Sequence, residues 1–339
     1  VTLLVILLAG PQPIAQAAPE PARFDGSFLQ LTEAHRTWKA RDWADMVAEM
    51  KDLGLDFLVV QWTAYDSQNF AGDGAGGPAS GDAPLEHLLR AADRAGLGLY
   101  VGLRQDSDFW ARIALDPASV EVYLQQLRLR ETELAEELAP RLRTHRSVRG
   151  WFITEEIDDV DWREATRREP LFRHLSLLAG RLEQLLPGRP VLLSGFSNGV
   201  MDPAAYADFW AALLKTAPAV DTVLFQDGVG VGKLRPPEVA LYLNALADTT
   251  GRAGKALWTV VEILQEIRAN PGNGAPARFA AEPAPIERIE QQLDLAQPYS
   301  ASLVAFSIPE YMSRRAGPAA GALQQAYRAR QRFATSNPP

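Results

Sequence analysis

Two segments that end in glutamate are the strongest candidates for chemistry in this sequence. Residues 151–156 read WFITEE and residues 257–262 read LWTVVE. In both, an apolar β-type run ends in an acid, and burying an unpaired carboxylate is costly. Two converging carboxylates can hydrolyse a glycoside, because one protonates the leaving oxygen and the other attacks or activates water. The alternative is that these acids cap the next helices or pair with arginines such as Arg104 and Arg163.

The composition removes most other chemistries. None of the 339 residues is cysteine, which excludes disulfides, thiolate metal sites and cysteine nucleophiles. The 34 Lys and Arg against 42 Asp and Glu give a net charge of −8, unlike the basic surfaces that bind nucleic acid. The four histidines form no HExxH or His-x-His pair, so we predict no catalytic metal and no cofactor. They are His35, His87, His145 and His174.

Two other motifs do not fit a known catalytic pattern. Residues 195–199, GFSNG, lack the G-x-S-x-G spacing of a nucleophile elbow, and no histidine follows them. Residues 227–232, DGVGVG, are rich in glycine but carry no lysine with serine or threonine as in a P-loop. Carboxylate chemistry is therefore the main remaining possibility.

The first residues are typical of an export signal. Residues 1–10, VTLLVILLAG, are uncharged and apolar but too short to cross a membrane, and Ala15-Gln16-Ala17 offers a cleavage site. We predict a signal peptide over 1–17 and a linker over 18–23, hence a periplasmic or secreted protein with no membrane span after cleavage. A buried N-terminal strand or an uncleaved anchor is the alternative.

The rest of the chain alternates short apolar runs with amphipathic helical stretches. Eight such runs are typical of a parallel sheet covered by helices, and eight strands close a TIM barrel. We predict one (β/α)8 barrel over 24–333 and a tail over 334–339. An open doubly wound sheet is the competing topology, but no glycine-rich phosphate turn follows the first run. The expected strands are 24–30, 56–62, 98–103, 148–154, 190–194, 222–225, 256–261 and 302–308.

Loop lengths indicate which end of this barrel carries the site. Helices pass into strands through short turns with Gly54 and Gly96, whereas the segments after strands are longer, as at 66–84 and 265–285. In a TIM barrel the loops after strands lie on the C-terminal face, where active sites occur. The two glutamates are therefore expected at one barrel mouth.

Other polar and aromatic residues near the strand ends could bind a sugar. Donors and acceptors fix hydroxyl groups, and flat rings stack on pyranoses. For each single aromatic residue, core packing is the alternative, and Asp158 could instead cap the next segment. The predicted substrate-binding residues are Gln30, Gln61, Trp62, Arg104, Asp106, Glu155, Asp158, Gln226, Asp227, Trp258, Glu310 and Tyr311.

With a glutamate after the fourth strand and another after the seventh, the chain resembles the clan A (4/7) glycoside hydrolases. More narrowly, it resembles a poorly characterised family of exported bacterial TIM-barrel proteins near those hydrolases. The resemblance spans nearly the whole chain after the signal. It is carried by Trp43-x-x-Met46-x-x-x-Met50-x-x-Leu53-Gly54-x-Asp56, Val60-Gln61-Trp62, Gly150-Trp151, Glu156-Ile157-Asp158, Phe225 to Gly230, Leu257-Trp258 and Glu262.

The resemblance implies roles for the two glutamates. Glu156 would be the acid/base and Glu262 the nucleophile of a retaining glycosidase acting on an extracytoplasmic polysaccharide, such as an exopolysaccharide or wall glycan. Two positions depart from the clan pattern: Glu155 stands where the clan has asparagine, and Gln226 and Asp227 stand in place of the strand-six tyrosine. A catalytically inactive carbohydrate-binding barrel in polysaccharide export or assembly is the alternative function.

Overall fold

The computed structural model of the chain describes residues 22–72, 83–267 and 279–336. The predicted signal peptide, all but the last two residues of the predicted linker and the end of the predicted tail lie outside these ranges. So do the glycine-rich segment 73–82 and the segment 268–278 with its prolines.

Eight parallel strands close into a barrel in which each strand pairs with its neighbours in chain order, and β8 pairs with β1. This confirms the predicted (β/α)8 architecture, and the open doubly wound sheet is wrong. The closed sheet places all eight strand ends, and the loops that follow them, around one mouth. The strands are β1 (Gly26–Leu29), β2 (Phe57–Val60), β3 (Gly98–Gly102), β4 (Val148–Ile157), β5 (Val191–Phe196), β6 (Thr222–Gln226), β7 (Ala256–Glu262) and β8 (Ser302–Phe306).

Long helices connect consecutive strands and cover the barrel. They are α1 (Ala40–Asp52), α2 (Pro84–Ala95), α3 (Pro117–Leu142), α4 (Ala165–Leu185), α5 (Pro203–Thr216), α6 (Pro236–Arg252), α7 (Ile286–Ala296) and α8 (Pro318–Ser336). Asp116 caps α3, because its Oδ1 accepts the backbone N–H groups of Ala118 and Ser119. Gly96 ends α2 with φ of 68°, a conformation that favours glycine.

Two separate apolar cores result from the alternation of side chains along the strands. Inside the barrel, Phe28, Phe57, Phe152 and Trp258 belong to one buried cluster. Between strands and helices, a larger cluster contains Trp43, Trp151 and Trp210, each with no exposed surface. Residues of one parity on each strand therefore point into the barrel and those of the other parity point at the helices.

Short strands lie in the segments that follow β2, β3 and β7. Ala64–Tyr65, Gln68–Asn69 and Arg104–Gln105 form a small sheet after β2 and β3, and Leu264–Glu266 pairs with Ala281–Pro283 after β7. Within the described ranges, no helix combines the length and apolar character needed to cross a membrane.

Candidate active site

Glu262 points into the barrel because it continues the inward-facing series of β7. Trp258 and Val260 lie in the inner core, and the side chain two residues further along must face the same way. At this position the strand reaches the mouth, and Glu262 remains 8% exposed. Its Oε2 accepts the backbone N–H of Val231, 3.0 Å away, in the loop after β6.

On β4, adjacent glutamates point in opposite directions. Phe152 packs in the inner core, and the pairing with β5 shifts register between Ile153 and Glu156. Beyond this bulge, Glu156 pairs with Ser194 and its Oε1 accepts a hydrogen bond from Gln226 Nε2 at the end of β6, at 2.8 Å. Glu155 faces the helices instead, where its Oε1 lies 2.5 Å from His174 Nε2 on α4.

The end of β6 and the loop after it contact both inward glutamates. Gln226 holds Glu156, Val231 holds Glu262, and the ammonium of Lys233 interacts electrostatically with both carboxylates. Lys233 Nζ also lies 3.2 Å from the centre of the Phe196 ring at the end of β5. One short segment therefore supplies a donor to each glutamate and one positive charge between β4 and β7.

Burial and neighbouring charge change the acidity of these groups. Burial, together with the charge of Asp227, raises the pKa of Glu262 to about 7. Burial also raises the pKa of Glu156, although the hydrogen bond from Gln226 acts against this. A carboxyl group whose pKa lies near neutrality can exchange a proton during turnover.

Asp227 is a buried acid that holds the backbone near Glu262 in place. Its Oδ2 accepts a hydrogen bond from Gln292 Nε2, and its Oδ1 accepts the N–H groups of Val229 and Glu262 at 3.2 and 3.3 Å. The side chain is 1% exposed, and burial raises its pKa to about 6. Asp227 therefore orients the β6 loop and the end of β7 from a buried position.

A second polar group lies at the ends of β1, β2 and β8. Gln30 Nε2 donates to Gln61 Oε1 at 2.8 Å, and the backbone N–H of Gln30 donates to Glu310 Oε1 at 3.4 Å. Ser307 donates to the other oxygen of Glu310. Burial raises the pKa of Glu310 to about 7. Three predicted substrate-binding residues are thus connected to each other at one side of the mouth.

The remaining predicted residues have mainly structural partners. Trp62 donates its indole N–H to the Leu31 carbonyl, and Trp258 packs on Phe57 inside the barrel. Asp158 accepts the Asp161 N–H, as a cap would, while Tyr311 is partly buried.

Arg104 and Asp106 lie in the small sheet and the loop after it. Arg104 donates to the Asp66 carbonyl, and Asp106 accepts from Tyr123 on α3. In the part of the chain that the structure describes, neither residue forms a hydrogen bond or ion pair with the two inward glutamates, whereas Gln226 and Asp227 are hydrogen-bonded to Glu156 and Glu262 directly.

Sequence reasoning missed Lys233 and Gly230. A Cβ on Gly230 would lie 2.9 Å from Glu262 Oε2 and 2.4 Å from the Leu264 carbonyl oxygen, so only glycine allows the loop to approach Glu262 this closely. The signal was present in the run Asp227 to Lys233, which combines glycines with one lysine directly after a strand.

The family described as "Domain of unknown function (DUF4434)" matches residues 24–320. The chain belongs to this family. Among curated proteins, "Uncharacterized protein YbcH" of Escherichia coli (strain K12) is 34% identical over 209 residues, which cover 61% of this chain. The chain spans 65% of the length of that relative, slightly less than two thirds.

Solved structures of glycosidase-like barrels resemble the fold. A "putative alpha-L-fucosidase" from Bacteroides thetaiotaomicron superposes with a TM-score of 0.74 at 17% identity, covering 97% of this chain and 99% of the other. The intracellular xylanase TsXylA from Thermoanaerobacterium saccharolyticum gives 0.51 at 13% identity, with 84% and 86% covered. At such identities the likeness shows the fold alone, a (β/α)8 barrel.

Proposed function

We propose that this protein is a retaining glycoside hydrolase of the clan A type, with Glu156 as acid/base and Glu262 as nucleophile. One observation carries the proposal: both carboxylates project into the same barrel mouth, from β4 and β7, and both interact with Lys233. Their hydrogen bonds come from an amide side chain and a backbone N–H, which leaves each carboxylate an oxygen for substrate.

The mechanism follows from what each group can donate or accept. Glu156 gives its proton to the glycosidic oxygen while ionised Glu262 attacks the anomeric carbon, forming a glycosyl-enzyme and releasing the leaving sugar. Glu156, now ionised, takes a proton from water, which attacks the same carbon and releases Glu262. Lys233 favours the ionised form of both carboxylates, and Gln226 holds the Glu156 carboxylate in place.

The substrate class that fits this proposal is an extracytoplasmic polysaccharide, an exopolysaccharide or wall glycan. The predicted signal peptide supports a periplasmic or secreted location, and the polar group of Gln30, Gln61 and Glu310 offers hydroxyl partners beside the acids. No cofactor is part of this chemistry.

The experiment is a screen of the purified protein against bacterial polysaccharides, read by the release of reducing ends. Wild-type protein should cleave at least one of them, and Glu156→Gln and Glu262→Gln should each lose most of that cleavage. Cleavage that survives both substitutions would refute the site assignment. Binding without cleavage by the wild type would instead support a carbohydrate-binding barrel in polysaccharide export or assembly.

A further inference from the structure

A second cluster of ionisable groups lies behind the barrel wall, between β4 and two helices. Glu155 on β4, Glu131 on α3 and His174 on α4 each offer a ligand atom, and these atoms all lie within 4.8 Å of one another. Their exposed fractions are 4%, 0% and 0%. The proposed hydrolysis uses none of the three.

The hydrogen bonding of His174 fixes its tautomer. Nδ1 lies 3.1 Å from the backbone carbonyl oxygen of Leu124, which can only accept, so Nδ1 carries a hydrogen. In a neutral ring, Nε2 then presents a lone pair, yet it faces Glu155 Oε1 at 2.5 Å and Glu131 Oε2 at 3.9 Å. A lone pair cannot face two carboxylates unless a positive charge lies among them.

Glu131 provides an independent sign of a missing partner. Among the described residues, neither of its carboxylate oxygens has a hydrogen-bond donor, and the same is true of Glu155 Oε2. Buried carboxylates without partners are rare and costly. Arg104 and Arg130 act on Glu131 only electrostatically, while Arg130 also pairs with Asp106 at 3.6 Å.

Charge balance leaves two ways to satisfy the cluster. Two carboxylates and a neutral imidazole need two positive charges, which are either two protons or one divalent cation. Two protons would be placed on His174 and Glu131, and the Glu131 carboxyl would then donate to Glu155, but the other oxygen of Glu131 would still lack a donor. A metal ion accepts lone pairs from the imidazole and from both carboxylates at once.

We propose that Glu131, Glu155 and His174 bind one divalent transition-metal ion of the zinc type. The mixed nitrogen and oxygen donors suit zinc, whereas calcium and magnesium prefer oxygen alone. Tetrahedral ligands at zinc lie about 3.3 Å apart. The present distances from His174 Nε2, 2.5 and 3.9 Å, are shorter and longer than this, so small side-chain shifts would centre the ion. The Leu124 carbonyl on Nδ1 is the outer hydrogen bond that orients a metal-binding histidine.

His145 lies between two carboxylates in a similar way, and its surroundings provide a comparison. His145 Nδ1 lies 2.6 Å from Asp93 Oδ2 and its Nε2 lies 3.9 Å from Glu86 Oε1. There, however, Asp93 accepts the Ser147 N–H and Glu86 pairs with Arg90 at 2.8 Å. Each carboxylate has a donor, so no cation is needed.

The experiment measures metal content and does not depend on hydrolysis. The full chain is expressed with zinc in the medium, and a second sample is refolded with zinc sulfate because the site is buried. Both are dialysed and analysed by elemental mass spectrometry. We expect about one zinc per chain in wild type and in His145→Gln, and less than a tenth of that in Glu131→Gln and His174→Gln. Iron or manganese at one per chain would support the site with another metal.

Thermal unfolding separates the metal from the two-proton alternative. If zinc binds, the refolded wild type melts at a higher temperature with zinc than with EDTA, and Glu131→Gln shows no such difference. If the cluster holds protons, glutamine imitates the neutral Glu131 carboxyl. Wild type free of metal after both preparations, with an unchanged melting temperature and a Glu131→Gln variant equally stable, would overturn the proposal. The wild-type measurement decides even if a variant fails to fold.

Discussion

The two faces of β4 place adjacent glutamates in different surroundings. Glu156, on the inner face, meets an amide and lies near the ammonium of Lys233, in a mouth open to substrate. Glu155, on the outer face, contacts His174 and is almost fully buried. A carboxylate that remains reachable and keeps an unused oxygen can do chemistry, while one enclosed by helices needs a buried partner that balances its charge.

The largest expected difference in activity comes from replacing each of these two glutamates, in turn, with glutamine. Glu156→Gln should lower kcat/KM on a cleaved polysaccharide by about 10²- to 10⁴-fold, because glutamine has no proton to transfer. Glu155→Gln should lower it by less than about tenfold at temperatures where the variant stays folded, since Glu155 contacts no reacting group. Steady-state kinetics with circular dichroism as the folding check would reveal the difference. Equal losses in both variants would contradict the division between the two faces.

His174→Leu should produce the largest loss of stability. It removes the group that faces the buried carboxylates, and leaving a buried charge without its partner costs about 3–5 kcal/mol. Denaturant unfolding would measure it.

His145→Leu serves as the matched control for that measurement. His145 and Asp93 are partly exposed, and Asp93 keeps its bond from Ser147, so the loss should stay below about 2 kcal/mol. A His174 variant no less stable than the His145 variant would show that Glu131 and Glu155 do not depend on His174 as their buried partner.

The pH dependence of stability should distinguish Glu262 from an ordinary surface acid. Its pKa is raised to about 7 in the folded state, from 4.5. Between these values the folded state binds more protons than the unfolded chain, so stability falls as pH rises through this window. This decline in the free energy of unfolding amounts to at most roughly 3 kcal/mol, at 1.36 kcal/mol per pKa unit, and Glu262→Gln should remove it. Unfolding titrations at pH 4.5 and 8 would test this, and equal pH profiles in both proteins would refute it.

Gly230→Ala should give the smallest effect at the mouth. The added methyl group would contact Glu262 Oε2 and the Leu264 carbonyl, displacing the Glu262 carboxylate without removing it. We expect kcat/KM to fall about 10- to 100-fold, as misplacement of a reacting group does. Gly251→Ala on α6 has open space around its Cβ and should not change activity. A Gly230 variant as active as wild type would show that this approach does not position Glu262.

Periodicity in the sequence was enough to predict the barrel. The alternation of apolar runs with helical stretches predicted all eight strands, and the parity of Trp258 and Val260 determines where Glu262 points. The Glu155–His174 contact could not be predicted, because it joins residues from different elements across a register shift. Lys233 was missed for a related reason, since its loop meets two strands that are distant in the chain. Local pattern shows which way a side chain points, but tertiary packing decides what it meets.

Azide rescue tests the central claim most directly. Glu262→Ala and Glu156→Ala are incubated with azide and an aryl glycoside of the sugar released from the cleaved polysaccharide. Azide should replace the missing nucleophile in the first variant and give a glycosyl azide of inverted configuration. In the second, it should attack the glycosyl-enzyme and give the retained configuration. Products of the opposite configurations, or wild-type hydrolysis by either variant without azide, would contradict the assigned roles of Glu156 and Glu262.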